Sequence, residues 1–502
     1  MPNPFLHVPL LVLLFPLGIF RIAKTSCTSG KAFRQAWFAA AAAYSSSLYW
    51  LAIPVHDFAY LAPQINVPWA LAIFCPVLLG VYLGLFPAVF ALILSLARLR
   101  NRNWFALGIF SGLLWACLEL LRGLLFTGFP WLDLPTAFAP WPVWLQHLRF
   151  WGVPGANVLF VAGTIWFCAA LKNRYPLPPL LAAVLLFSLL NIDGHFRIKN
   201  NRPENTEQHT VRLVQGNIPQ QEKWYASEQK RTVDTYILLS DGNKEQPDAD
   251  LIIWPETAIP LYLQDKSLLG QNIRALAARK RVHMLIGSPA YREQEDGTHK
   301  LYNRAYLLSP FGELLESYDK QHLVPFGEYI PFKSYFPSLA RVTTDGPDFS
   351  PGTQTAPLYA DPFALGVMIC YEVIFPDTAQ QRVAAGSNVL INISNDAWFA
   401  KSSAPEQHLN AAVLRSIEQN RVLLRATNTG ISAIIDNTGT VIARTELFTS
   451  TELTRTLPLT REETTFYHRN YSWLRMAFPV TFFLFVCCLP RIKRKWKNDL
   501  LL

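Results

Sequence analysis

The sequence predicts a two-part fold: a multi-span α-helical membrane bundle and a layered α/β domain carried outside it. Three observations support this. Hydrophobic residues make up 51% and charged residues only 16% of the 502 positions, and the apolar residues gather in runs of about 20, the length that crosses a bilayer. Lys and Arg collect in alternate loops between those runs. One long segment, from His209 to about Thr465, has ordinary charge density and alternates short β-branched runs with helical patterns.

Along the chain, spans are expected at roughly 5–20, 35–53, 66–96, 104–122, 150–170 and 177–192, giving an N-terminal bundle over 1–193. Residues 194–208, with Asn200, Asn201, Pro203 and Asn205, read as a linker. The α/β domain follows over 209–465, then a seventh span at 472–489 and a basic tail at 490–502. Arg21, Lys24, Lys31 and Arg34 follow span one, Arg98, Arg100 and Arg102 span three, and Lys172 and Arg174 span five. Arg491, Lys493, Arg494, Lys495 and Lys497 follow span seven, whereas loops 54–65 and 123–148 contain no Lys or Arg. This alternation puts the tail in the cytoplasm and the α/β domain on the outer face, in a bacterium the periplasmic side of the inner membrane. The first run lacks the basic flank of a cleaved signal peptide and reads as a retained span. Those clusters hold 14 of the 45 basic residues but one of the 36 acidic ones, leaving 31 basic against 35 acidic, a net of −4. The overall charge of +9 is therefore a topology signal, and no nucleic-acid partner is expected.

Within the α/β domain, strands are expected at 211–214, 251–254, 282–286, 304–308, 365–369, 389–393, 422–425 and 431–435, with helices near 226–240, 267–280 and 405–420. Of seven cysteines only Cys370 lies in this domain, at the end of the run Ala364–Ile369. A solitary thiol facing an oxidising compartment is a candidate nucleophile, although a strand-end cysteine is often only a small hydrophobe. Glu256 follows the run Leu251–Trp254 and Lys320 follows Leu314–Asp319. A carboxylate, an ammonium and a thiol suffice for acyl transfer: one group takes the thiol proton, one stabilises the oxyanion, and the thiolate attacks. His322 and His408 lack paired metal-ligand spacing and no Gly-rich phosphate loop occurs, so neither a metal nor a cofactor is expected.

Trp254-Pro255-Glu256, the Lys320 segment through Pro331, and Ile369-Cys370-Tyr371-Glu372 resemble the Glu, Lys and Cys signatures of the carbon-nitrogen hydrolase, or nitrilase, superfamily. Val214–Gln220, Asn395–Phe399, Glu119–Gly123 and Thr127–Trp131, with the membrane bundle, narrow the resemblance to the apolipoprotein N-acyltransferase family. The resemblance implies a nitrilase-like αββα sandwich. It also implies transfer of an acyl chain from a membrane phospholipid to the N-terminal α-amine of a diacylglyceryl-cysteine apolipoprotein. Carried onto this sequence, it implies Cys370 as the nucleophile that becomes a thioester, Glu256 as general base and Lys320 as oxyanion-stabilising cation. Glu328, Glu372, Tyr371 and Trp224 are then supporting or substrate-binding residues, with membrane lipid and the apolipoprotein as partners. The sequence does not read out the oligomeric state, and a monomer is the default expectation. Seven spans are one fewer than is common in that family, and 400–404 lacks glycines that the family pattern carries there.

Two other readings stay open at this level: a membrane-tethered amidase that uses the same three residues with water as acceptor, and a lipid transporter or scaffold with an inactive domain. Glu119 and Arg122 can pair on one helix face, as a positioning pair or as a functional one. The aromatic loop 123–148 is either an interfacial belt or a docking surface for lipid tails. Loops 330–350 and 396–404 are expected to act as lids over the site.

Overall fold

A computed structural model describes residues 8–57, 67–97, 103–171, 175–201, 207–242, 247–331, 333, 348–459 and 463–498, with side chains as far as Cys487. The basic residues at 98–102 and 172–174, most of loop 54–65, and the expected lid over 334–347 lie outside the described residues. The chain divides into two compact units: 50–73 with 201–463, and 2–49 with 74–200 and 464–502.

Among the described residues four helices are long and apolar enough to cross a membrane: Trp69–Ala97, Trp104–Arg122, Leu148–Ala170 and Leu177–Asn200. Ser29–Ser47 makes a fifth if it is counted together with Tyr49–Asp57. The spans expected at 5–20 and 472–489 fall on shorter apolar helices, Leu14–Thr25 and Tyr471–Cys487. The expected linker at 194–208 is helical as far as Asn200, where an Asp193–Arg197 ion pair one turn apart supports the polar end of the helix. Ser29–Ser47 lays its small face, Ala36, Ala40 and Ala41, against Phe74–Ala97. A Cβ on Gly84 would stand 2.9 Å from the Ala41 backbone nitrogen, so only glycine permits this approach.

Arg122, fully buried, ion-pairs with Glu119 and, at 2.7 Å, with Asp133, and donates to the Trp131 carbonyl at 2.6 Å. The pair expected from helical spacing therefore forms, and it also ties the aromatic loop back to its helix. That loop is not one uniform belt: Trp131 and Phe138 are buried, whereas Phe126 is exposed.

The second unit contains twelve strands: β1 (Gln208–Gln215), β2 (Leu251–Ile253), β3 (His283–Glu293), β4 (His299–Leu308), β5 (Leu314–Asp319), β6 (Leu358–Ala360), β7 (Phe363–Ile369), β8 (Val389–Ser394), β9 (Leu423–Thr427), β10 (Ala433–Ile435), β11 (Val441–Arg444) and β12 (Thr451–Pro458). They form two six-stranded sheets, ordered β12-β1-β2-β3-β4-β5 and β11-β10-β9-β8-β7-β6. One face of each sheet meets the other through Val211, Leu213, Ile253, Val367, Ile369, Ile391 and Ile393, a dry layer in which β-branched residues fill the pleat. On the outer face of the first sheet, helices Ala226–Asp241 and Leu268–Lys280 bury Val233, Tyr236, Ile273 and Leu276. Helices Pro376–Ala384 and Ala404–Gln419 contact the second sheet, which completes an αββα sandwich. Within each sheet three neighbouring strands are parallel, β1-β2-β3 and β7-β8-β9, so their C-terminal ends emerge together.

Residues 50–57 and 67–73 belong to this unit although membrane helices flank them in the chain. Trp50 is buried, donates from Nε1 to Gln407 Oε1 at 3.1 Å and meets the Phe399 ring edge-on at 4.8 Å. The turn Asp396–Phe399 then ends at Ala400 with φ 45° and ψ −152°, close to a region that glycine alone occupies without strain. The glycine-poor loop thus keeps a glycine-like bend on an alanine. Strain of about 1–3 kcal/mol, set against the smaller entropic cost of glycine, leads us to expect that Ala400→Gly stabilises this unit by about 1 kcal/mol. Thermal unfolding of the detergent-solubilised protein would measure it, and a lowered midpoint would contradict the strained bend.

Candidate active site

The three residues singled out by sequence all sit at strand ends of the second unit. Glu256 lies three residues past β2, Lys320 directly follows β5, and Cys370 directly follows β7. β2 and β5 belong to one sheet and β7 to the other, so the site closes over the seam of the sandwich.

Glu256 and Lys320 are both nearly inaccessible, at 6% and 1% exposure. The Lys320 ammonium donates to Glu328 Oε1 at 2.8 Å and stands 3.5 Å from Glu256 Oε1. Asn303, on β4, donates from one amide nitrogen to both carboxylates, at 2.7 Å to Glu256 and 2.9 Å to Glu328. The other oxygen of Glu256 accepts the Asn395 N–H at 2.8 Å, and that of Glu328 accepts the Val324 N–H at 2.8 Å. Burial alone would lower the Lys320 pKa, but the charges of Glu328 and Glu256 outweigh it and hold the ammonium well above its ordinary value. Lys320 is thus a fixed cation and cannot serve as the base.

Cys370 has φ +53°, a left-handed bend that breaks β7 and turns the chain into the helical turn Cys370–Ile374. Its thiol is pushed well above the ordinary value, by burial first and by the Glu256 charge second, with Lys320 opposing. The thiol is therefore neutral at rest and needs a base to become a nucleophile.

Two networks fix the bend. Glu372, fully buried, accepts the Ile369 N–H (2.7 Å) on one oxygen and the Tyr318 hydroxyl (2.7 Å), the Gln321 N–H (2.7 Å) and the His322 N–H (3.0 Å) on the other. It locks the cysteine turn to the Lys320 loop. Arg382 donates to the Tyr318 hydroxyl at 2.6 Å behind it. On the other side the Cys370 carbonyl accepts from His408 Nε2 at 3.0 Å and Asn392 Nδ2 at 3.3 Å. Burial, then the neighbouring Arg425 charge, lower the His408 pKa, so the ring is neutral and Nε2 carries its proton. Nδ1 is then an acceptor for Arg425 Nη2 at 3.1 Å, and Arg425 also ion-pairs with Asp396 at 2.7 Å. Burial opposes ionisation of Asp396, but the Arg425 charge holds it below the usual carboxylate range.

The expected supporting residues separate by place. Glu328 contacts Lys320 directly, while Glu372 acts on the backbone around the thiol. Tyr371 is buried with its ring edge-on to Phe375 at 5.0 Å, and Trp224 is nearly half exposed. Asn303, Asn392, His408 and Arg425 carry no sequence signal of their own except a polar residue inside an apolar strand or helix. Among the described residues no cluster of His, Cys, Asp and Glu has the arrangement of a metal site.

Comparison with known proteins places this geometry. Residues 210–467 match the Carbon-nitrogen hydrolase family, and residues 2–166 match the family "Apolipoprotein N-acyltransferase N-terminal domain". The chain is 38% identical over 457 residues to the apolipoprotein N-acyltransferase of Geobacter metallireducens, with 89% of this chain and 85% of the relative aligned. The chain belongs to the apolipoprotein N-acyltransferase family. The namesake from Nitrosomonas europaea is 34% identical, over 90% of this chain and 86% of its own length, and that from Vibrio vulnificus is 31% identical over 86% and 83%. In this family member the carbon-nitrogen hydrolase match covers the αββα unit with all three site residues, and the N-terminal match lies on the apolar helices.

One close approach governs Glu256. A Cβ on Gly287 would fall 2.3 Å from the Pro255 carbonyl oxygen and 2.7 Å from the Glu256 Cα. Gly287→Ala must therefore push the Glu256 turn off the sheet, at a cost of about 1–3 kcal/mol. We expect iodoacetamide to modify Cys370 at least about tenfold more slowly in this variant while unfolding remains cooperative, because a misplaced base costs rate before it costs the fold. An unchanged alkylation rate would mean that Glu256 tolerates the shift.

Proposed function

We propose that this protein transfers an acyl chain from a membrane phospholipid, through a thioester on Cys370, to the N-terminal α-amine of diacylglyceryl-cysteine apolipoproteins. The reading rests on one observation: a neutral, partly buried thiol at a strained strand end feels the charges of a carboxylate and a permanently charged ammonium that are themselves 3.5 Å apart. In the first half-reaction Glu256 takes the thiol proton as sulfur attacks the donor's ester carbonyl. Lys320 faces the oxyanion, the C–O bond breaks, and the lysophospholipid alcohol leaves with the proton held by Glu256. In the second, the α-amine attacks the thioester carbonyl, its proton passes to Glu256, the C–S bond breaks and the thiolate recovers the proton.

Family membership supports an amine rather than water as acceptor, and so favours the transferase over the tethered amidase. Exposed Trp224, Tyr225 and Phe326, on the segments that border the site, offer apolar surface for an acyl chain. The apolar helices and the basic loops support a multi-pass inner-membrane enzyme with its catalytic unit in the periplasm.

Incubation with phospholipid should add an acyl mass to Cys370 that hydroxylamine removes and that Cys370→Ala abolishes. A diacylated lipopeptide should then discharge it to an amide. Discharge to water alone would make the protein a hydrolase, and no adduct would end both enzyme readings. Lys320→Ala should slow thioester formation on the order of 10²- to 10³-fold without unfolding the unit.

The pH profile gives a separate check. Because burial and Glu256 raise the thiol pKa, the thiol stays protonated across neutral pH in the wild type and reacts only through Glu256. Glu256→Gln removes the base and also the charge that adds to the rise of the thiol pKa, but burial, the larger cause, remains, so alkylation of Cys370 should be slower than wild type at pH 7 and recover as the pH rises into the alkaline range. Wild-type rates at pH 7 in this variant would assign the base elsewhere.

A further inference from the structure

Lys223 is a buried cation that the acyl-transfer steps leave unused. It is 0% exposed, although Trp224 and Tyr225 beside it are exposed, and its ammonium has no hydrogen-bond partner among the described residues. Its turn is pinned against the site. Asn217 N–H donates to the Asn428 carbonyl at 2.9 Å, Asn395 Nδ2 donates to Gln220 Oε1 at 2.8 Å, and the Asn395 N–H holds Glu256. The Glu256 charge acts on Lys223, yet no ion pair forms between them, and both Glu256 oxygens are already engaged by Asn303, Lys320 and Asn395.

Three ammonium N–H donors without an acceptor are costly in a buried site. The surrounding charges explain why the cation is tolerated: Glu256 and Glu328 against Lys320 leave one negative charge, which the Lys223 charge balances. They do not explain the missing acceptor. A ligand that brings its own anionic oxygen does. Given the acyl transfer proposed above, on which this inference rests, one substrate carries such an oxygen permanently, since the donor lipid has a phosphodiester a few bonds from the ester that Cys370 attacks.

We propose that Lys223 is a second substrate-facing cation, which receives the phosphate of the acyl donor beside the Glu256 site. Burial brings its pKa down to about 8, with Glu256 opposing, so the side chain is mainly charged at neutral pH and gains most when an anion arrives. Lys320 then serves the transient oxyanion and Lys223 the standing charge, which aligns the ester between them.

The test compares two donors with the same acyl chains, a phosphatidylglycerol and the uncharged diacylglycerol, by the rate of hydroxylamine-labile acyl addition to Cys370 of the full chain in detergent. Lys223→Met should raise KM for the phospholipid on the order of 10- to 100-fold with kcat little changed, and leave diacylglycerol acylation within about twofold. Lys223→Arg, which keeps the charge, should retain most phospholipid use. Equal losses with both donors, or a loss confined to kcat, would place Lys223 at the acyl-transfer centre and overturn the phosphate assignment, as would no loss at all. Millimolar inorganic phosphate should leave the wild-type rate unchanged, whereas competition would make this a site for free phosphate and overturn the lipid assignment. Wild-type alkylation of Cys370 reports an intact site. If Lys223→Met fails to fold, Lys223→Gln carries the same comparison. Failure of the wild type with both donors would instead count against the acyl-transfer reading itself.

Discussion

Two carboxylates, one buried and one partly buried, sharing one ammonium is the constraint on which the rest of the site depends. Glu256 and Glu328 would repel each other in a dry pocket, and Lys320 with the forked donation of Asn303 makes their proximity tolerable. Each member comes from a different place: the segment after β2, strand β4, the end of β5, and the loop beyond it. Only a sandwich that aligns those ends can assemble the group. The fold is thus a requirement of the charge arrangement as much as a container for it.

The thiol is handled differently. Its reactivity is suppressed by burial, and its position is fixed through backbone atoms: Glu372 grips the amides around it, while His408 and Asn392 grip its own carbonyl. The left-handed bend at Cys370 is held from both sides, as expected of a strained conformation kept for chemistry. Rigid backing of this kind contrasts with the exposed aromatic side chains of the bordering segments, so precision at the sulfur coexists with tolerance toward the apolar parts of a substrate.

Much of this was legible in the sequence because the reactive residues end apolar runs. Glu256 and Cys370 punctuate strands whose β-branched content marks them plainly, and all eight expected strands overlap observed ones. β5, β6, β11 and β12 were not among them: β5, which precedes Lys320, has no β-branched residue. β6 has three residues, β11 is a half-exposed edge, and β12 is a Thr-rich edge strand that finds its partner β1 across more than two hundred residues, where local pattern carries no information. Asn303 and Asn392 escaped notice, and the roles of Asn395 and His408 stayed hidden, for a related reason: an amide or imidazole inside an apolar element is conspicuous only when its partners are known. Lys223 was hidden by its neighbours, since Gln-Gln-Glu-Lys-Trp reads as a solvated turn. Glu372 was identified as part of the site, but its work is on backbone amides, a role that residue type cannot disclose.

The segment around Trp50 has a consequence for how the catalytic unit can be separated from the chain. Its indole fills a place between Gln407 and Phe399, on the turn and helix that carry Asp396 and His408, although more than three hundred residues intervene. The hydrolase-like fold is therefore discontinuous. A fragment cut to begin near residue 201 would retain all twelve strands and every reactive side chain, yet it would leave an indole-sized hollow against the very elements that steady the thiol. What distinguishes this enzyme from a free-standing relative of the same sandwich is thus written partly inside the sandwich, in a piece of chain contributed from between its membrane helices.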